Sequence, residues 1–336
     1  MSIHILRVII LTVVMCNATF NSFAASVTKK SYIEKKTKKL SRIELAQNIH
    51  IEQKRNIELT TNFTLSKLDY NIITAADSIL KWRDSVGAGI DFSISKNLNN
   101  AGNKMIINYR NIRFSNGTMS DYDMENGYPS YGIFSESTKV DGTMNVASIV
   151  NEILTFSNSQ SDTSFSFGYE YRTLQLNPSS VYQVIYCPNC SSTNSGVYYS
   201  PNQTQNTKVT MHGIQLGASH KRKTSANHNL IFSGEVFMPI SFVSEQYNWG
   251  YQNNDGGYDW KLSTGDFGSG YGLRGKIQNQ VRISQNAWWN IYTFAEITSI
   301  NSPLDTNRRN KVVTNNGNAK DVKIYQFGIG TGLTFN

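Results

Sequence analysis

Three aspartates are the residues best suited to chemistry in this 336-residue sequence. Asp121 and Asp123 stand two residues apart, and Asp255 follows much later in a stretch rich in Asn and Gly. Carboxylates gathered in a cleft can support acid–base chemistry or attract basic peptides. Carboxylates in a loop can equally be no more than solvated surface groups. Two alternatives therefore stand: a solvated acidic loop, or an acidic cleft that Glu136 and Glu245 could join.

A pair of cysteines, Cys187 and Cys190, forms the second candidate site. Their spacing occurs in thioredoxin-type motifs and in half of a zinc site, but the sequence has no second pair to complete four zinc ligands. The surrounding segment, 177–207, is rich in Ser, Asn, Pro and Gly. We therefore expect a small disulfide-closed loop, with a redox-active pair as the alternative, and neither a metal site nor another cofactor.

The segments that must position these residues alternate apolar and polar side chains with a period of two, which is typical of β-strands. Between Leu80 and Ile94, for example, the apolar residues share one face, with Asp84 as the exception. Ten such runs are predicted, near residues 56–73, 78–95, 103–117, 143–157, 162–176, 207–221, 227–244, 268–283, 287–300 and 320–335.

The length of these runs favours a transmembrane antiparallel β-barrel of about ten strands over a soluble β-sandwich, whose strands are usually shorter. The final run, Gly330–Asn336, resembles the C-terminal aromatic signal of bacterial outer-membrane barrels. Short connections alternate with long ones, at 118–142, 177–206, 245–267 and 301–319, which we expect to be extracellular. A barrel this small leaves little room for a channel, so a narrow porin is a minor alternative.

The N-terminus has the features of a secretory signal peptide over residues 1–25, with an apolar run and then small residues. Cys16 would be removed with this segment; lipidation at Cys16 is the alternative. We expect residues 26–55 to form a basic periplasmic arm that holds most of the formal charge of +8. A solvated, partly ordered arm is favoured, and the alternative is a helix that docks on anionic lipid or a cell-wall polymer. The rest of the chain is near neutral, which argues against a nucleic-acid partner.

Three motifs in this order resemble the omptins, a family of ten-stranded outer-membrane endopeptidases. The segment 78–82 is similar to an S-x-L-x-W signature on an early strand, and 116–123 is similar to the segment that leads into the family's catalytic aspartate pair. The segment 254–259 is similar to an N-D-x-H-Y-D segment in the fourth long loop. The resemblance covers roughly residues 60–336, and each motif by itself is moderately specific.

The resemblance implies a reaction in which an Asp–His dyad activates water opposite an aspartate pair, with the histidine as general base. Asp121, Asp123 and Asp255 match the carboxylates, but Gly257 stands where the histidine is expected. We expect the loss of the base to reduce hydrolysis by about 10²- to 10⁴-fold. The remaining histidines of the chain after the signal peptide are not positioned to replace it: His50, His212, His220 and His228.

The resemblance leaves two principal functions. The chain is either a surface barrel with impaired proteolysis that acts in binding or adhesion, which we favour, or an active endopeptidase that cleaves near basic residues. Expected partners are outer-membrane lipid, lipopolysaccharide, basic peptides and host surface proteins. Six basic residues are expected to face the lumen and pair there with Glu170, Glu235 and Asp91: Lys81, Arg83, Arg172, Arg274, Lys276 and Arg282.

Overall fold

The computed structural model describes residues 57–74, 78–98, 102–124, 132–179, 181–186, 196–200, 206–247, 257–265, 268–309 and 312–336. The predicted signal peptide and basic arm, together with Asp255, Cys187 and Cys190, lie outside these residues. The strands are β1 Ile57–Ile73, β2 Ile79–Asn97, β3 Lys104–Met124, β4 Gly132–Ser157, β5 Ser161–Ser179, β6 Val181–Tyr186, β7 Gly196–Ser200, β8 Asn206–Ser225, β9 His228–Tyr247, β10 Trp260–Thr264, β11 Gly270–Ser284, β12 Ala287–Asn301, β13 Leu304–Arg309, β14 Val312–Asn318 and β15 Asp321–Phe335.

Ten of these strands form a closed antiparallel barrel. Their order around the wall is β1-β2-β3-β4-β5-β8-β9-β11-β12-β15, and β15 pairs with β1 to close it. Every pair in this wall is antiparallel, as expected for strands joined in sequence by turns. Among the described residues, no helix is long and apolar enough to cross a membrane. The predicted fold class is therefore confirmed.

Each of the ten predicted runs corresponds to one strand of the wall, but the long connections are not plain loops. Strands β3 and β4 extend well into the predicted connection 118–142. The other three long connections contain short strands that extend the sheet beyond the barrel: β6 and β7, β10, and the hairpin of β13 and β14. We call the end of the barrel that carries these extensions the mouth.

The apolar residues of β2 do not share one face, contrary to the prediction. Leu80 and Trp82 are 1% exposed inside the barrel, whereas Val86 and Ile90 are 54% and 60% exposed on its outer surface. The register between β1 and β2 shifts between Trp82 and Val86, where Asp84 adopts a φ of +58°. One extra residue in a strand exchanges inward and outward positions, so this β-bulge reverses the alternation.

The same reversal occurs on other strands at a similar distance from the mouth. On β3 the register shifts near Asn116, which also has a φ of +58°. On β9 it shifts beside Pro239, so that Phe232 is 42% exposed while Phe242 is fully buried. The bulges therefore divide the barrel into a lower part with an apolar outer surface and an upper part with an apolar interior.

The interior of the upper part is filled by a hydrophobic core. Tyr70 stacks on Trp82 with ring centroids 5.1 Å apart, and its hydroxyl donates a hydrogen bond of 2.9 Å to Ser244 Oγ on β9. Strands β1 and β9 are four places apart in the wall, so this hydrogen bond spans the interior. The same core includes Ile72, Leu80, Met119, Met144, Leu174, Leu176, Val209, Met211, Phe242, Leu262 and Ile300.

The outer surface of the lower part carries a belt of exposed apolar side chains. Its members lie on strands around the whole wall and include Phe63, Leu65, Ile90, Phe165, Phe167, Ile277, Phe327 and Ile329. A continuous apolar surface of this kind is unusual in a soluble monomer and typical of a barrel surrounded by lipid.

Candidate functional site at the mouth

Asp121 lies near the upper end of β3, where its side chain is 4% exposed. It is paired across the sheet with Leu80 on β2 and Ser135 on β4. Asp123 is two residues further along the same strand, opposite Ile133. The side chain of Asp121 is therefore held by regular strand pairing on both sides, below the rim of the barrel.

The segment that contains Gly257 lies across the mouth from Asp121. Asp259, 2% exposed, accepts a backbone hydrogen bond from Arg308 N and donates one to Gln246 O, both of 2.8 Å. It then leads into β10, which pairs with β9 and β13. Strands β3 and β9 are four places apart in a wall of ten, so the two segments stand on nearly opposite sides of the mouth.

The space beside Gly257 is filled by Arg308 of β13. A Cβ atom placed on Gly257 would overlap the Arg308 guanidinium, which also lies 5.7 Å from the centroid of the Tyr258 ring. Lys261 Nζ lies 5.4 Å from the same ring centroid. A guanidinium has only hydrogen-bond donors and no acceptor, so Arg308 cannot serve as a general base.

Glu245 balances part of this positive charge at the mouth. Its carboxylate lies 3.8 Å from Lys261 Nζ and accepts a 2.9 Å hydrogen bond from the Tyr247 hydroxyl. Burial and then the neighbouring Glu245 carboxylate raise the pKa of Tyr247 to about 12. Tyr247 is therefore a neutral donor at physiological pH.

The described histidines lie away from the mouth. His212 packs against the ring of Tyr169 on the outer surface, with centroids 5.7 Å apart. His220 contacts Thr163 Oγ1 at 2.9 Å, and His228 contacts Asn279 Oδ1 at 2.5 Å, both near the opposite end of the barrel. Within the described part of the chain, no cluster of His, Cys, Asp or Glu has the arrangement of a metal site.

The lumen of the lower part holds a network of buried charges. Arg274 donates to Glu170, Glu235 and Glu296 over distances of 2.7–3.1 Å, and Arg172 donates to Glu170 at 2.7 Å and also pairs with Glu296. The predicted lumen cations Arg172, Arg274 and Lys276 lie in this interior. Lys276 Nζ is 4.4 Å from the centroid of the Tyr292 ring. Asp91 pairs instead with Arg110, at 2.8 Å.

The other three predicted lumen cations lie elsewhere. Lys81 and Arg83 face outward because the bulge at Asp84 turns their neighbours Leu80 and Trp82 into the core. Arg282 donates to the carbonyl oxygens of Ser284 and Gln285 at the turn between β11 and β12. The prediction was wrong at these positions because a simple alternation cannot anticipate a bulge or a turn.

Sequence reasoning missed Arg308, the residue that most changes the chemistry of the site. It is 51 residues from Gly257 and belongs to another long connection, so no motif spacing links the two. The only signal was the adjacent pair Arg308 and Arg309 in an otherwise polar segment. Only the pairing of β10 with β13 brings Arg308 beside Gly257.

Comparison with protein-family models and with curated proteins finds no match to the sequence. Among solved structures, the chain is similar to the outer membrane protease OmpT from Escherichia coli, with a TM-score of 0.64 and 13% identity over 84% of this chain and 96% of that one. The toluene transporter TbuX from Ralstonia pickettii gives a TM-score of 0.35 and 6% identity, over 84% and 89% of the two chains. The likeness to OmpT shows a shared barrel fold.

Proposed function

We propose that the chain is an omptin-like surface barrel of the bacterial outer membrane that binds polypeptides at its mouth and hydrolyses them poorly or not at all. The observation that carries this proposal is the guanidinium of Arg308 in the space beside Gly257. A cation there supplies no base to activate water, and hydrolysis is expected to be about 10²- to 10⁴-fold weaker than with a base.

The placement in the outer membrane rests on the apolar belt around the lower barrel and on the fold shared with OmpT. In this proposal, residues 1–25 direct export, and lipid and lipopolysaccharide surround the belt. The mouth then faces the medium, where it meets peptides and host proteins. The apolar core of the upper part argues against the narrow porin, because it fills the path that a solute would follow.

The binding capacity of the mouth comes from charges on its two sides. Asp121 supplies a carboxylate on the β3 side, and Arg308 and Lys261 supply cations on the β9 side. The potential of the carboxylate side attracts a basic side chain of a polypeptide, and the potential of the cation side attracts its backbone carbonyls. The Asp121 side is the part of the mouth that favours basic side chains in a ligand.

The active endopeptidase is the second candidate, because Asp121 is retained in a buried position on β3. Its base would have to come from a group other than those described above. An active enzyme would lose cleavage when Asp121 is replaced, whereas a binding barrel would lose only affinity.

The test is binding of a fluorescent peptide with paired basic residues to the chain refolded with lipopolysaccharide. Asp121→Asn is expected to weaken binding by about three- to tenfold, because it removes one charge from the mouth. Asp141→Asn is the matched control, since Asp141 is exposed on the outer surface of β4. Equal affinities for the two variants and the wild type, or release of peptide fragments, would contradict the proposal.

A further inference from the structure

The space beside Gly257 holds a whole guanidinium group. If Gly257 carried a Cβ atom, its three nearest neighbours would be Nη1, Cζ and Nη2 of Arg308, so the charged end of this side chain occupies the space. The guanidinium carbon lies 5.7 Å from the centroid of the Tyr258 ring. Cations within about 6 Å of a ring centroid are attracted by the negative potential of the ring face. A glycine and an aromatic ring thus form a place with the size and the chemistry for a guanidinium.

The Tyr258 ring also attracts an ammonium group. Lys261 Nζ lies 5.4 Å from the centroid of this ring. The charge of Lys261 is balanced in part by Glu245, whose carboxylate oxygen lies 3.8 Å from Nζ. Two cations of different shape therefore converge on one ring. This indicates that the ring recognises positive charge rather than the shape of one particular side chain.

The backbone of Arg308 is fixed, whereas its guanidinium can move. Arg308 N donates a 2.8 Å hydrogen bond to Asp259 O, and the neighbouring residue Asn307 pairs with Trp260 of β10. The buried carboxylate of Asp305 accepts a hydrogen bond of 2.6 Å from Trp260 Nε1. Because several rotatable bonds separate the guanidinium from this anchored backbone, it can leave the space while β13 stays paired.

We propose that the space between Gly257 and the Tyr258 ring is a subsite for an arginine side chain of a bound polypeptide, and that Arg308 occupies it from within the chain. This subsite rests on the proposed binding of polypeptides at the mouth and adds one side chain that the binding selects. A competing group on the same chain acts at an effective concentration on the order of millimolar. Arg308 therefore weakens the entry of a ligand's arginine, and a chain without Arg308 binds that arginine more tightly.

The test uses two short, capped, fluorescent peptides that differ in one central residue, which is arginine or its neutral isostere citrulline. Each peptide is added to the full chain refolded with lipopolysaccharide. Arg308→Ala is expected to bind the arginine peptide about three- to tenfold more tightly than the wild type, because it removes the internal competitor. The citrulline peptide should show no such gain. Equal gains for the two peptides, or no gain for the arginine peptide, overturn the proposal.

Lys261→Ala is the matched control for charge. It removes a cation from the same ring but leaves the guanidinium of Arg308 beside Gly257. At about 1 M salt the screening length is about 3 Å, so repulsion between the mouth and the peptide is suppressed, whereas direct occupation of the space is not. The gain of Arg308→Ala is therefore expected to persist at this salt concentration, and any gain of Lys261→Ala to disappear. Loss of both gains would assign the effect to general charge and overturn the proposal.

Two substitutions of Tyr258, each combined with Arg308→Ala, test the ring. Tyr258→Phe keeps the aromatic face and is expected to keep the tighter binding of the arginine peptide, whereas Tyr258→Leu is expected to lose it. Hydrogen exchange at the amides of β13 shows in each variant whether this strand remains paired. Equal binding by the Phe and Leu variants would overturn the proposal. A gain that appears only where β13 loses its protection also overturns it, because the gain would then come from an opened hairpin.

Asp121→Asn separates failure of the subsite from failure of the proposed function. If Asp121→Asn weakens binding of the arginine peptide while Arg308→Ala leaves its affinity unchanged, binding at the mouth stands and the subsite is overturned. If the peptide binds neither to the wild type nor to Arg308→Ala, both are overturned.

Discussion

At the scale of single residues, Gly257 and Arg308 act together. Gly257 has no side chain, and the guanidinium of Arg308 fills the space that a side chain would need. Gly257→His alone is therefore expected to gain less hydrolysis than a variant that also lacks Arg308, because the imidazole would have to displace the flexible Arg308 side chain. The double variant Gly257→His with Arg308→Ala removes this obstruction and is expected to gain hydrolysis of a fluorogenic basic peptide.

The control for this gain is Arg308→Ala alone, which frees the space without supplying a base. It should remain inactive. Activity in Arg308→Ala, or equal activity in Gly257→His with and without Arg308→Ala, would show that Arg308 does not obstruct the position.

Glu170, like Glu296, pairs with both Arg172 and Arg274, so it links the two guanidinium groups of the lumen network. Glu170→Gln removes the negative charge that pairs with these two buried guanidinium groups. It is expected to lower the free energy of unfolding by about 3–5 kcal/mol. The measurement is urea unfolding in detergent micelles. Glu245→Gln is the control: its pair with Lys261 is looser and more exposed, so its effect should stay below about 1 kcal/mol.

At the scale of secondary-structure elements, the bulges determine which side chains enter the barrel. Asn116 has a φ of +58°, a conformation that Gly adopts freely and that β-branched residues avoid. Asn116→Val is expected to destabilise the chain by about 1–2 kcal/mol, while Asn116→Gly should lie within about 0.5 kcal/mol of the wild type. Equal unfolding midpoints for the two variants would contradict the assigned backbone strain.

The ten wall strands were well predicted from the sequence for two reasons. Each strand is long, and the lower half of each strand has one face on the outer surface of the barrel. The alternation around Phe165 and Phe167 is an example, since it continues without a bulge through β5. The reversal at Asp84 could not be predicted, because a bulge depends on how two neighbouring strands match in register. The short strands β6, β10 and β13 were also missed, since their pairing partners lie in distant connections.

The candidate site was predictable only in part. Asp121 and Gly257 follow from short motifs, one in β3 and one just before β10, and the topology places them on opposite sides of the mouth. Arg308 could not be found in this way, because its position follows from a tertiary strand pairing rather than from a local pattern. The chemistry of the site therefore depends on a residue that carries no motif.

At the scale of the whole molecule, the apolar core closes the barrel beneath the mouth. Tyr70, Trp82 and Phe242 fill the interior, and the hydrogen bond from Tyr70 to Ser244 crosses it. We expect no steady ionic conductance when the chain is inserted into a planar lipid bilayer, with a general porin inserted in parallel as the positive control. Regular single-channel steps would contradict the closed interior and favour the narrow porin.

The most direct test of the proposed loss of proteolysis is cleavage of a fluorogenic peptide with paired basic residues by the wild-type chain refolded with lipopolysaccharide, beside its Asp121→Ala variant. We expect both forms to cleave no faster than the peptide hydrolyses alone, because the position beside Gly257 holds a guanidinium instead of a base. Cleavage by the wild type that disappears in Asp121→Ala would contradict it and show that the chain is an active endopeptidase.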